Sequence, residues 1–195
     1  LLLAVGSIDH QLGTRKISEL YDLKSKMPFT AAVIVLSCAS MAGIIPFIGF
    51  VGKESLYASL YHTEGTMALI YLSLLFLASA FFVAVTVEIV YHVVFKKEAS
   101  KTSRNNEASV FMVAAPFVLV ALGLVVGVFP GSTIEPLLQW SGAVVYNDAP
   151  AMHLKLWHGF NFILLLSVVT VLFGIGLFLI RRPLRKFRKV YWLKG

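Results

Sequence analysis

The chain has 195 residues, 58% of them hydrophobic and only 14% charged, whereas an ordinary soluble domain is about a quarter charged. This composition excludes a water-soluble domain, and it makes the net charge of +7 a property of membrane-flanking loops before it is one of a nucleic-acid surface. The single cysteine, Cys38, lies in an apolar run, which excludes a disulfide framework and reads as a small buried side chain.

The opening "LLLAVGSIDH" (1–10) has too few apolar residues for a span, which needs about 20. It is expected to be the end of a truncated transmembrane helix, in a chain that reads as an internal fragment. Asp9 and His10 close it: a carboxylate beside an imidazole can pass protons, or the pair can anchor the loop that carries Arg15. Residues 11–27 follow as a cytoplasmic loop.

The segment 28–62 is predicted to be a discontinuous transmembrane helix. It holds 35 residues, about 50 Å as one helix, against a hydrocarbon core of about 30 Å. Within it stand Gly43, Pro46, Gly49 and Gly52, followed by Lys53 and Glu54. Proline removes a backbone donor, and glycine permits detours. The expectation is a helix to about Gly43, an irregular stretch, and a second short helix with Lys53 near its start. Freed backbone groups at membrane depth need protein or a water-filled cavity beside them, and broken helices mark ion sites in transporters. A lysine there should face the interior and have a partner. Burial disfavours the charged form of an amine, so such a lysine can act as a reversible proton carrier. The plainer reading makes Lys53-Glu54 a membrane boundary after a helix over 28–50.

A second span is expected over 67–95, a third over 108–129 and a fourth over 158–180. Glu88 and His92 share one face of the second at i, i+4. They form either a proton relay between midplane and cytoplasm or an inward-facing structural pair. Pro116 should kink the third span. Residues 130–157, with Trp140 and Trp157, are expected along the outer interface. His62 and His153 fall in outer loops. His158 opens the fourth span as a cap, an interface anchor or part of an outer exit. The basic stretch 181–195 reads as an amphipathic cytoplasmic tail on anionic lipid, not as a nucleic-acid surface. Fifteen of the seventeen basic residues fall in 11–27, 96–107 and 181–195, all on one side if each segment crosses once. The positive-inside rule makes that side cytoplasmic. No metal-ligand spacing or nucleotide fingerprint occurs, so no metal and no cofactor are expected.

The stretches "GSIDHQLGTRK", "KMPFTAAVIVLSCASMAGIIPFIGFVGKES", "APFVLVALGLVVGVFPG" and "LKLWHGFN" together resemble the A-type subunit of the multisubunit Mrp-type cation/proton antiporter. That subunit is similar to the antiporter-like subunits of respiratory complex I. The resemblance covers nearly the whole chain. It implies an all-α polytopic fold, Na+/H+ exchange across a bacterial cytoplasmic membrane, and other subunits of a hetero-oligomeric complex as partners beside the lipid bilayer. It also implies that Lys53 matches the terminal proton-channel lysine of the second discontinuous helix. No covalent chemistry follows, so the chain is read as part of a secondary transporter, not as an enzyme. Two departures stand out. The family commonly has two prolines where this chain has Ile45-Pro46, and an acidic residue where it has Lys16. A proton-pumping subunit of complex I or of a membrane-bound hydrogenase, and a non-conducting scaffold, are the alternatives.

Overall fold

The computed structural model describes residues 1–13, 23–95, 107–146, 154–157 and 159–192, by backbone alone from 182 onward. The expected contacts of Arg15 and Lys16, the loop 96–106, and the roles of His153 and His158 lie outside the described residues.

The architecture is all-helical: α1 Leu2–Leu12, α2 Leu23–Lys26, α3 Pro28–Met41, α4 Ile48–Tyr61, α5 Thr66–Val94, α6 Val110–Val128, α7 Pro130–Thr133, α8 Glu135–Tyr146 and α9 Phe162–Trp192. Among the described residues, three helices are long and apolar enough to cross a membrane: α5, α6 and the Phe162–Arg181 part of α9. Helices α3 and α4 have 14 residues each, about 21 Å apiece, so neither matches the hydrocarbon core alone.

Large apolar side chains such as Phe81, Phe82, Leu119, Leu165 and Leu172 are exposed. Lipid tails are as apolar as leucine, so nothing drives these groups inward. The buried positions mix small residues such as Ala31 and Ala80 with larger ones such as Met27, Phe50 and Tyr57. One cluster joins Ala4 and Ile8 of α1, Met27, Ala31, Ile34 and Cys38 around α3, and Val93 of α5. Helix α9 lies along α5 and also touches α4, with Phe76 against Phe173 and Tyr91 against Phe178 along the seam.

The start of α3 is held from a distance. Pro28 occupies its first turn, where a missing N–H costs nothing. The Glu107 carboxylate accepts hydrogen bonds from Phe29 N (3.0 Å), Thr30 N (3.2 Å) and Thr30 Oγ1 (2.6 Å). A carboxylate thus satisfies donors that a helix N-terminus leaves open, at the end where the dipole favours negative charge.

Two boundaries differ from the sequence reading. Residues 130–146 are mostly helical, as α7 and α8, with Trp140 exposed. Glu135 accepts from Leu154 N at 2.8 Å, which ties Leu154 to the start of α8. The basic tail is not a separate helix, because the backbone of α9 runs unbroken from Phe162 to Trp192. The change from apolar to basic composition does not end the helix: Leu, Arg and Lys are good helix formers, and the helical backbone continues through Pro183.

Candidate functional site at the helix break

Between α3 and α4 the chain leaves helical geometry for Ala42–Phe47. Gly43 has φ +67°, the left-handed conformation that ends helices. Its N–H bonds Ser40 O at 3.1 Å, and the next N–H, of Ile44, bonds Ala39 O at 3.1 Å. These two bonds make a Schellman closure, which satisfies two of the carbonyls that a helix C-terminus leaves open. Proline at 46 and an extended Phe47 then lead into α4.

The break is narrower than the glycines imply. Gly49 and Gly52 lie within the first turns of α4. Gly49 answers to packing, because a Cβ there would strike Ser40 O of the preceding helix. Gly127 of α6, which carries no signal in the sequence, does the same from outside. A Cβ on it would strike Pro46 O and come within 2.6 Å of Ile48 N. Helix α6 therefore touches the bare backbone of the break.

Lys53 is the sixth residue of α4 and only 9% exposed. Its ammonium donates to Gly43 O at 3.2 Å and to Ala42 O at 3.4 Å. These carbonyls follow the two used in the Schellman closure. Ala42 is the C-cap of α3, so its carbonyl lies at the negative end of that helix's dipole, where a cation is favoured. Lysine and break thus complete one another: the break frees acceptors, and α4 returns a donor to them. Glu54 is buried next to it, at 8% exposure.

Beside the break, a cavity of about 620 Å³ lies between α1, α3, the start of α4 and α6, with Ser37, Ser40, Ile48, Pro116 and Gly123 in its wall. Ser37 is buried, and its hydroxyl has no hydrogen-bond partner among the described residues. Pro116 sits inside α6 and is buried.

Glu88 and His92 form a second group, near the far end of α5. His92 Nδ1 lies 2.9 Å from Glu88 O and 3.9 Å from Glu88 Oε1. The other carboxylate oxygen is 3.7 Å from the Arg181 guanidinium of α9. Glu88 thus faces protein. In the sequence Arg181 belongs with the basic tail, and only the packing of α9 on α5 shows its role. Asp9 and His10 lie in the last turn of α1, a helix that packs on α3 and α6, with Asp9 half-buried and His10 exposed. His62 caps the end of α4 and is exposed. Among the described residues no three His, Cys, Asp or Glu side chains converge as a metal site.

The fold and site define a polytopic α-helical membrane protein with one Gly/Pro-broken helix that holds a buried lysine on its freed carbonyls. More particularly, the chain resembles a segment of the A-type subunit of the Mrp-type Na+/H+ antiporter. Residues 1–78 match the family described as NADH:quinone oxidoreductase/Mrp antiporter, TM. The Na(+)/H(+) antiporter A subunit of Alkalihalophilus pseudofirmus is 33% identical over 93% of this chain and 24% of its own length. The probable K(+)/H(+) antiporter A/B subunit of Rhizobium meliloti is 32% identical over 93% of this chain and 19% of its own length. A solved structure of the Mrp complex from Dietzia sp. DQ12-45-1b matches with a TM-score of 0.77 at 31% identity, over 95% of this chain and 20% of that one. The chain thus spans about a quarter or less of these relatives.

Proposed function

We propose that this chain is part of a secondary Na+/H+ antiporter and contributes a proton-translocation path through its broken helix, with Lys53 as the carrier. One observation carries the reading: a buried ammonium held on the Ala42 and Gly43 carbonyls of the break. Protonated, Lys53 ties α4 to the end of α3. Once it has given up its proton, the neutral amine no longer has a charge to bring to those carbonyls, so proton loss loosens that contact. Protonation and the geometry of the break are therefore coupled.

Glu54 tunes this group through its charge. Glu88 and His92 relay protons toward the cytoplasmic face, with Arg181 holding the carboxylate in place. Asp9 and His10 serve the same face at the end of α1. The Ser37 hydroxyl and the adjoining cavity supply room and a polar wall for water, which a buried hydroxyl of this kind seeks. The chain sits in a bacterial cytoplasmic membrane with its basic segments inside, and works with the other subunits of the complex. Both Na+ and K+ occur in the names of its relatives, and we assign Na+ as the exchanged ion. The family match over residues 1–78 is shared with NADH:quinone oxidoreductase; the A-subunit relatives, which align over most of the chain, favour the antiporter.

The test is cation-dependent dissipation of ΔpH in everted membrane vesicles. Lys53→Ala is expected to abolish it while the complex still assembles. Full activity in that variant would leave the break without a transport role.

A further inference from the structure

We propose that Tyr57 and Thr170 are positioning residues for Lys53, a buried hydroxyl pair that fixes the rotation of α4 and so keeps the ammonium on the break carbonyls. This rests on the reading of Lys53 given above. Helix α4 has only 14 residues, and the break cuts it off from α3. It packs against α5, α6 and α9, and the apolar part of that packing is non-directional. They tolerate a small rotation that a hydrogen bond does not.

Tyr57 lies one turn beyond Lys53, on the same face of α4. Its side chain is wholly buried. Its hydroxyl is 2.9 Å from Thr170 Oγ1 of α9, 113 residues on in the chain. Thr170 is also wholly buried, and its own proton goes to Leu166 O at 2.7 Å. With that proton used, Tyr57 is the donor and Thr170 the acceptor. The bond therefore has a fixed direction and ties α4 to the long helix that also packs along α5. One residue of helix is about 100° of turn. A rotation of a fraction of that takes Tyr57 off Thr170 and Lys53 off Ala42 and Gly43 together.

The donor order gives an asymmetric test. Tyr57→Phe removes one oxygen, keeps the ring packing, and leaves Thr170 with its Leu166 partner. Thr170→Val leaves a buried Tyr57 hydroxyl unsatisfied, which costs more than a bond removed with both partners. Antiport is read in everted vesicles with the assembled complex, as rate against cation concentration, with assembly checked in the same membranes. Tyr57→Phe should lower the maximal rate about threefold to tenfold, the worth of one net hydrogen bond, with half-saturating cation unchanged. Thr170→Val should be lower still. The double variant should return to the Tyr57→Phe level, and Thr170→Ser should match wild type. A wild-type rate in Tyr57→Phe, losses that add in the double, or losses explained by poor assembly each overturn the proposal. Lys53→Ala separates the two readings. If Lys53 is essential and Tyr57→Phe is normal, only the positioning role fails. If Lys53→Ala is fully active, the carrier reading fails and takes this one with it.

Discussion

Replacing Gly43 by alanine tests the break at its tightest point. Gly43 has φ +67°, and an alanine Cβ there would meet Lys53 Cε at 2.9 Å and Nζ at 3.0 Å. The left-handed conformation alone costs a non-glycine residue about 1–2 kcal/mol. The end of the lysine is flexible, so it gives way rather than the backbone. In giving way it leaves two carbonyls, each a hydrogen bond to a charged donor worth about 1.5–3 kcal/mol. The losses overlap, because the displaced ammonium finds water in part, and a net cost of about 3–4 kcal/mol follows. Gly52 is the internal control. It lies in α4 itself, and a Cβ added there would have nothing within 4 Å, so alanine should be neutral or gain up to about 1 kcal/mol of helix propensity. Thermal unfolding of the purified complex, followed by fluorescence, reads the stability, and vesicle antiport reads the function. Gly43→Ala should lose both, and Gly52→Ala neither. Equal behaviour of the two variants would refute the claim that Lys53 depends on the break carbonyls.

Glu107→Ala should destabilise the start of α3 by about 1–2 kcal/mol, the usual worth of a helix cap, while Glu107→Gln, which keeps an acceptor, should lose about half of that; equal melting of all three forms would show that the cap does not matter. Arg181→Gln should change stability by under about 1 kcal/mol, because the guanidinium is half exposed, yet should reduce antiport alongside Glu88→Gln; normal antiport in both would remove this pair from the relay. Single cysteines at Ser103 and Ser141, in a Cys38→Ser background, should label from opposite faces of the membrane, and labelling of both from one face would overturn the crossing scheme.

The break was legible because Pro46 and Gly43 stand in an apolar segment too long for the bilayer. Its extent was not. Gly49 and Gly52 read as breakers, yet both are helical, and Gly49 is there so that α4 can pass close to Ser40 O. Lys53 was legible as a charge among apolar neighbours; its acceptors, Ala42 O and Gly43 O, depend on how the chain turns after α3 and could be placed only by the fold. Glu107 escaped notice, since a carboxylate in a polar loop reads as solvated and only the fold brings it to Phe29 and Thr30. Arg181 was hidden among its basic neighbours. Gly127 looked like any small residue in a membrane helix, and its contact with Pro46 is a fact of packing. Local chemistry announces itself in a sequence; partners that arrive from distant helices do not.

The most direct measurement of the central claim is the rate of cation-dependent ΔpH dissipation in everted vesicles that carry Lys53→Arg, with assembly confirmed. Arginine keeps the positive charge on the Ala42 and Gly43 carbonyls but holds its proton too tightly to release it. A carrier role predicts an assembled complex with antiport reduced to background. Near-normal antiport in that variant would make Lys53 a fixed structural cation and contradict the account.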